Sequence, residues 1–305
     1  MHDGAKTPSL KSLLGENRPI MAPGAFDALS AKLAAQAGFE AVYMTGFGVA
    51  GSTLGMPDIG LMSGTEMADR ARAMAAATAP VPLIADADTG HGGTLNVARL
   101  VTLYEQAGVQ AIQLEDQVFP KRCGHMASKD VIDRIEARDK IAAAVAARRS
   151  DGFLVIARTD ARAVLGFDEA MQRGEDFIAA GADLLFIEAP QSLTEMQTIT
   201  QHFGDHKLVA NMVEDGKTPY LSAQELGDMG YALMLYPVSS LLATAQLLKE
   251  TYAAMRQAGK LPKDIKRMSF SGYNTAIGLD DLLPTALSYS EPEERLTSIS
   301  NPIIL

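Results

Sequence analysis

The chain has 305 residues, of which 47% are hydrophobic and 21% charged, values typical of a soluble globular protein. Its formal net charge of −10 argues against binding to nucleic acid and to anionic membrane surfaces, because both need a basic surface. A single cysteine cannot form an internal disulfide, and the polar segment Met1 to Arg18 lacks the apolar core of a signal peptide. We therefore expect a cytoplasmic protein with no nucleic-acid or membrane partner.

Short apolar runs, each followed by polar, glycine or proline residues, recur eight times. They predict buried strands over Pro19–Pro23, Ala41–Thr45, Pro82–Ala87, Ala111–Glu115, Leu154–Arg158, Leu184–Glu188, Leu208–Asn211 and Leu233–Tyr236. Ala-rich amphipathic segments between them predict helices over Asp27–Ala37, Gly64–Ala77, Leu95–Ala107, Ile132–Arg149, Phe167–Ala180, Leu193–His202, Ser222–Met229 and Ser240–Ala258. Eight alternating units favour an α/β fold with a (β/α)₈ TIM-type barrel. An open doubly wound sheet is the alternative, but the first strand ends in Ala22-Pro23-Gly24-Ala25, without the usual glycine-rich phosphate loop.

The pattern changes after Leu261. Residues 262–305 contain helix-like pieces interrupted by prolines, and no ninth strand is evident there. We interpret the chain as a single domain, 1–305, with the barrel over 18–260. Residues 261–305 then form a C-terminal helical extension that could pack on a neighbouring subunit.

Polar side chains appear at one end of six successive predicted strands. They include Thr45, Asp86, Glu115, Arg158, Glu188 and Asn211. Barrels of this type carry their active site at the carboxyl ends of the strands. The pattern therefore predicts that these side chains share one site.

Asp86 and Asp88 are the predicted metal ligands. Residues two apart on a strand share a face, and carboxylates with water suit Mg²⁺, with Mn²⁺ as the alternative ion. Asp58 and Glu115 are available as outer groups, and no CxxC or HExxH motif indicates zinc. The alternative is that the two aspartates cap the next helix or pair with a basic residue.

The only cysteine lies in Lys121-Arg122-Cys123-Gly124-His125. Cationic neighbours stabilise a thiolate, and the adjacent glycine lets the backbone approach a ligand. We interpret the segment as an active-site loop whose thiol acts as acid, base or nucleophile. The alternative is a surface loop that happens to be basic.

Three further strand ends have candidate binding roles. Arg158 suits bidentate binding of a carboxylate, with an interior ion pair to Glu188 as the alternative. Asn211 could hold a carboxylate or a metal-bound water, or make ordinary strand-end hydrogen bonds. Thr45 and Gly46 offer backbone N–H groups to an anion.

Together these residues resemble the isocitrate lyase and phosphoenolpyruvate mutase superfamily over roughly residues 18 to 260. The most specific marks are Asp86-Ala87-Asp88-Thr89-Gly90, Glu115-Asp116-Gln117 and Lys121-Arg122-Cys123-Gly124-His125, the last being the signature of the lyase branch. The resemblance implies a (β/α)₈ barrel whose last helix is swapped between subunits, commonly in a homotetramer. Phosphonopyruvate-handling members carry Asn with Ser or Thr where this chain has Cys123-Gly124.

The resemblance also implies roles for individual residues. Mg²⁺ would be held through waters by Asp86 and Asp88, with support from Asp58 and Glu115. Substrate would contact Thr45, Gly46, Phe47, Arg158, Glu188, Asn211 and Gly124. Cys123 would be the catalytic acid/base, with Lys121 and His125 beside it and Tyr43 or Glu188 as candidate bases for the substrate hydroxyl.

Two departures bear on the substrate, a small dicarboxylate. Methylisocitrate lyases carry an Arg shortly after the last strand and another in the tail, and these positions fall here at Leu242 and near Ser271. A third carboxylate would stay poorly paired, which favours cleavage of a substituted malate, such as 2,3-dimethylmalate, to pyruvate and a short carboxylate. The alternatives are 2-methylisocitrate lyase, oxaloacetate hydrolase or decarboxylase, and a non-catalytic barrel subunit. Pro237 stands where oxaloacetate hydrolases tend to carry Ser.

Overall fold

A computed structural model describes residues 8–16, 18–121 and 129–288. Its strands are β1 (Ile20–Ala25), β2 (Val42–Met44), β3 (Leu83–Asp86), β4 (Ala111–Glu115), β5 (Leu154–Thr159), β6 (Leu184–Ile187), β7 (Lys207–Asn211) and β8 (Leu233–Tyr236). Its helices are α1 (Leu10–Gly15), α2 (Ala28–Gln36), α3 (Gly46–Leu54), α4 (Gly64–Thr78), α5 (Thr94–Gln106), α6 (Arg134–Ala147), α7 (Ala161–Val164), α8 (Phe167–Ala179), α9 (Leu193–His202), α10 (Ala223–Met229), α11 (Ser239–Ala258), α12 (Phe270–Ala276) and α13 (Leu279–Ser288).

The eight strands close into a parallel barrel. Each strand pairs with the next along the chain, and β8 returns to β1 with Ile20 opposite Leu233 and Pro23 opposite Tyr236. The prediction of a (β/α)₈ barrel is confirmed, and the open doubly wound sheet is wrong. No helix in the described ranges combines the length and apolarity that a membrane span requires.

The hydrophobic core has two layers. One fills the barrel interior with side chains such as Ile84, Ile156 and Phe186. The other lies between the strands and the surrounding helices, where Tyr104 and Phe177 are fully buried. Strands that are buried on both faces explain why their sequences are continuously apolar rather than alternating.

Helix α1 was not predicted, because six residues carry too little periodicity to register. Its leucines Leu10, Leu13 and Leu14 join the barrel-interior cluster. Its first N–H is satisfied by Gln110, just before β4, whose Oε1 accepts from Leu10 N at 2.8 Å. The helix is therefore ordered by tertiary burial, since so short a helix is marginal in isolation.

Helix α3 was not among the helices predicted with bounds, because its sequence contains three glycines and glycine disfavours helix. Thr45 caps it by accepting a hydrogen bond from Gly48 N. Its own residues Val49 and Ala50 are buried. The helix begins directly after β2, so its first residue, Gly46, lies at the carboxyl edge of the barrel.

The chain divides into two compact units, Met1–Leu247 and Leu248–Leu305. The first contains the barrel, and the second contains α12 and α13. The single-domain organisation with an extension from residue 261, and the swapping of the last helix, stay predictions.

Candidate active site

The predicted strand-end residues converge around a cavity of about 160 Å³ at the carboxyl edge of the barrel. The predicted residues that line it are Tyr43, Thr45, Phe47, Asp58, Asp86, Glu115, Lys121, Arg158, Glu188 and Asn211. Gly46 and Asp88 lie beside them, in contact with Asp86. Cys123, Gly124 and His125 lie outside the described residues.

Asp86, the last residue of β3, is held by backbone groups. Asp86 Oδ1 accepts from Asp88 N at 3.0 Å, and Asp86 Oδ2 accepts from Gly46 N at 3.2 Å. A Cβ on Gly46 would come within 2.6 Å of Asp86 Oδ2, so only glycine fits here. In this arrangement the Gly46 N–H that was predicted to bind an anion is donated to the acid pair.

Lys121 joins two of the acids. Its Nζ lies 2.6 Å from Asp58 Oδ2 and 2.7 Å from Asp88 Oδ1, and the side chain is 3% exposed. The Asp58 contact is a hydrogen bond, whereas the Asp88 contact is an ion pair, and Asp88 Oδ1 accepts no hydrogen bond from the described residues. Burial would lower the pKa of Lys121, but the carboxylates around it, led by Asp88 and Asp86, raise it well above its ordinary value. The ammonium therefore stays charged.

Burial disfavours the charged form of the acids in the cavity. Burial, with the carboxylate of Asp88, raises the pKa of Asp86 to about 6. Burial also raises the pKa of Asp58, against the opposing effect of Lys121, and that of Glu115, against Arg158. Among the described residues that line the cavity, Lys121 and Arg158 are the cations, too few to balance the acids.

This donor set fits a hydrated divalent cation. Glu115 Oε1 is buried without a hydrogen-bond partner in the described part of the chain. Added positive charge would let the acids ionise. In the same part of the chain, no three His, Cys, Asp or Glu side chains converge closely enough to hold an ion directly. Such a site suits Mg²⁺, which usually keeps several waters and binds through one or two carboxylates.

Arg158, at the end of β5, is oriented by a residue that sequence reasoning did not select. Asp160 accepts from its Nε at 2.8 Å and from its Nη2 at 3.2 Å. The contacts to Glu115 and Glu188 are longer, at 3.4 and 3.9 Å. The alternative of an ion pair with Glu188 therefore describes the longest of these contacts. Arg158 also lines the cavity.

Asp160 also holds Lys129, whose Nζ lies 2.5 Å away. Burial would raise the pKa of Asp160, but Arg158 and Lys129 lower it to about 2. Asp160 N in turn donates to Asp116, which Arg173 pairs at 3.0 Å. The only sequence signal for Asp160 was its place two residues after Arg158.

Residues 122–128 are flanked by a short antiparallel bridge. Gln117 pairs with Val131, and Val118 N donates to Asp130 O at 2.9 Å. On one side Lys121 is bound to Asp58, which lines the cavity, and on the other Lys129 is bound to Asp160, which holds Arg158. The structure thus brings both flanks of the Cys123 segment to the site.

Glu188 and Asn211 also line the cavity, together with several apolar side chains. Asn211 Nδ2 donates to Glu188 Oε2 at 3.3 Å, and Asn211 Oδ1 has no hydrogen-bond partner within the described ranges. The apolar part of the lining comprises Phe47, Val213, Pro237, Val238 and Leu242. Burial and the charge of Asp86 raise the pKa of Tyr43 well above its ordinary value. The cavity lining therefore combines charged and apolar side chains.

Gln113 is a cavity residue that the sequence analysis missed. It lies in an apolar strand and carries no charge, so nothing in the local pattern distinguished it. It is fully buried.

A family model described as phosphoenolpyruvate phosphomutase matches residues 10–256. The chain belongs to the PEP mutase/isocitrate lyase superfamily. It is 43% identical to 2,3-dimethylmalate lyase of Eubacterium barkeri, over 92% of this chain and 97% of that protein. It is 40% identical to 2-methylisocitrate lyase of Bacillus subtilis, over 86% and 88% of the two chains. The predicted family and the prediction of a carbon–carbon lyase are confirmed.

Solved structures of superfamily members superpose closely. A crystal structure of 2,3-dimethylmalate lyase has a TM-score of 0.86 and 37% identity, covering 90% of this chain and 92% of that one. Oxaloacetate acetylhydrolase with 3,3-difluorooxalacetate has a TM-score of 0.89 and 33% identity, covering 94% and 97%. Phosphonopyruvate hydrolase, solved as a complex with oxalate and Mg²⁺, has a TM-score of 0.83 and 32% identity, covering 93% and 99%.

Proposed function

We propose that this lyase requires Mg²⁺ and cleaves a substituted malate, of the 2,3-dimethylmalate type, to pyruvate and a short carboxylate. The observation that carries this proposal is the charge distribution of the cavity. Its lining contains the cations Lys121 and Arg158 together with an apolar part that includes Leu242. The similarity to 2,3-dimethylmalate lyase supports the same substrate class.

The apolar part of the lining limits the number of carboxylates that the cavity can hold. A 2-hydroxy diacid would place one carboxylate with the metal and the other against Arg158. A third carboxylate, as in 2-methylisocitrate, would meet Leu242 and Val238, and a buried unpaired charge is strongly destabilising. An alkyl group on C3 suits the same surface, at about 0.8 kcal/mol for each buried CH₂.

The acids would hold the metal. Asp86 and Asp88 would bind Mg²⁺ through waters, with Asp58 and Glu115 in the outer shell, and Lys121 would fix Asp58 and Asp88 in place. Bound there, the ion would supply Lewis-acid polarisation of the substrate's oxygens. Complexes of Mg²⁺ and oxalate with phosphonopyruvate hydrolase support this assignment.

The chain's own residues would move two protons. The C2 hydroxyl proton goes to a base, the C2–C3 bond breaks with its electron pair moving to C3, and C2 becomes the carbonyl carbon of pyruvate. Glu188 is the better base, because the raised pKa of Tyr43 leaves its phenol protonated near neutral pH. Cys123 then protonates C3, and the fragment leaves as a carboxylate.

The remaining residues would bind and orient the diacid. Arg158 would pair the departing carboxylate, assisted by Asn211 and by the backbone of Gly124. Thr45 and Phe47 would bind the C1 carboxylate beside Gly46, whose N–H is donated to Asp86. Lys121 and His125 would stabilise the developing enolate. Each well-placed donor to such a charge contributes about 3 kcal/mol.

Product analysis tests the proposed reaction. We expect Mg²⁺-dependent release of pyruvate with propionate from 2,3-dimethylmalate. Pyruvate with succinate from 2-methylisocitrate would indicate the tricarboxylate reaction. Oxalate with acetate, or CO₂, from oxaloacetate would indicate hydrolysis or decarboxylation. Any of these at higher kcat/KM than the substituted malate would overturn the proposal.

The resemblance also supports a cytoplasmic homotetramer with a swapped last helix. The mass of the native protein in solution tests the assembly. We expect about four times the 32.4 kDa of the chain.

A further inference from the structure

Gln113 is buried at the floor of the cavity with its carboxamide unsatisfied. The side chain is 0% exposed, and neither Nε2 nor Oε1 has a hydrogen-bond partner in the ranges that the structure describes. Leaving a buried polar group unsatisfied lowers the stability of the folded state. An apolar side chain of the same size would avoid that cost, so the residue calls for an explanation beyond packing.

The position of Gln113 relates it to the metal-binding acids. It lies opposite Asp86 on β3 in the strand register and two residues before Glu115 on β4. Gln113 and Glu115 therefore share the inward face, and Gln113 lies about 7 Å deeper along the strand. Its carboxamide forms the base of the space that the acids border.

A second glutamine just before the same strand shows what a structural role looks like. Gln110 is at the opposite end of the barrel, where its Oε1 accepts from Leu10 N at 2.8 Å. That carboxamide secures α1. Gln113 has no comparable partner among the described residues.

We propose that Gln113 is a substrate-binding residue that hydrogen-bonds the diacid through its carboxamide. This inference rests on the proposed function and names a further residue of that site. Ionised acids only accept hydrogen bonds and Lys or Arg only donate them, whereas a carboxamide does both. A 2-hydroxy acid presents carboxylate acceptors and a hydroxyl donor, so the carboxamide matches its chemistry.

Calorimetric binding of oxalate in the presence of Mg²⁺ tests the inference, with Gln113→Met and the matched control Gln110→Met. We expect Gln113→Met to bind oxalate about tenfold more weakly or worse, as befits a hydrogen bond to a charged ligand. Without ligand it should melt above the wild type, because an unsatisfied group has been removed. Gln110→Met should bind oxalate as the wild type does and melt lower. Oxalate binding within twofold of the wild type in Gln113→Met would overturn the inference.

A crystal structure of the wild type with Mg²⁺ and oxalate gives a second reading, which stands even if Gln113→Met fails to fold. We expect a ligand oxygen within about 3.2 Å of Gln113 Nε2. A water at that place, with the oxalate beyond hydrogen-bond distance, would show that the Gln113 carboxamide binds only water. That result would refute its role in substrate binding. These measurements do not depend on turnover. Failure to cleave any substituted malate would therefore refute the proposed function without affecting this test of Gln113.

Discussion

Replacement of Lys121 by Met tests the charge balance of the site. Lys121 is 3% exposed and lies 2.6 and 2.7 Å from two carboxylates, Asp58 and Asp88. Removing one partner of a buried ion pair costs about 3–5 kcal/mol, because the remaining charges are left uncompensated. In Mg²⁺-free buffer at pH 8 we expect the melting temperature to fall by about 6–10 °C, at about 2 °C for each kcal/mol in a chain of this size.

Added Mg²⁺ should shrink that difference, because the bound ion supplies the missing positive charge. The matched control is Lys140→Met. Lys140 is 6% exposed but donates to a carbonyl, Thr89 O, at 3.0 Å, and burial lowers its pKa. We expect its loss to change the melting temperature little and independently of Mg²⁺. If Lys121→Met melted within about 2 °C of the wild type without Mg²⁺, the reasoning that the acids need this cation would be wrong.

Four further predictions follow from the site. Because the folded pKa of Asp86 is about 6, above its ordinary 3.8, the Mg²⁺-free protein should lose stability as pH rises through this window. The loss is about 3 kcal/mol, and denaturation in EDTA should show a pH slope that Mg²⁺ abolishes. Asp160→Asn should raise KM about tenfold with a smaller change in kcat. The control Asp183→Asn, which breaks the ion pair with Arg148 at 2.6 Å, should leave KM and kcat unchanged. Equal effects of the two substitutions would contradict a positioning role for Asp160. Cys123→Ser should bind Mg²⁺ and oxalate normally but lose turnover, and near-normal kcat would exclude it as the acid. Leu242→Arg should shift the kcat/KM ratio at least about tenfold toward 2-methylisocitrate, and an unchanged ratio would show that this wall does not select the substrate.

The fold was predictable because most of its strands and helices follow from the periodicity of short sequence segments. The strands are mostly apolar and the longer helices were recognised as amphipathic segments, so a window of about 11–18 residues identifies these elements. Glycines such as Gly38 and Gly181, both with positive φ, mark helix ends in the sequence and in the structure. The same alternation predicted the barrel, and the rule for barrel edges then placed Asp86 and Arg158 at one site.

Elements that depend on distant contacts escaped prediction. Helix α1 is too short for a periodic signal and is ordered by burying Leu10 and Leu13 among barrel side chains. Helix α3 has a poor helical sequence, and burial of Val49 overrides that preference. In both cases tertiary burial supplies what local propensity lacks.

The sequence by itself determined the barrel, the superfamily and the acids, cation and thiol from which a site is proposed, because these follow from periodicity and from a contiguous motif. Only the tertiary structure decided how the side chains are partnered. Lys121 meets Asp58 across 63 residues, and Lys129 meets Asp160 across 31. Gln113 was revealed by having no such partner in the described ranges. Pairing of this kind depends on which loops face one another once the barrel closes, and no local pattern encodes it.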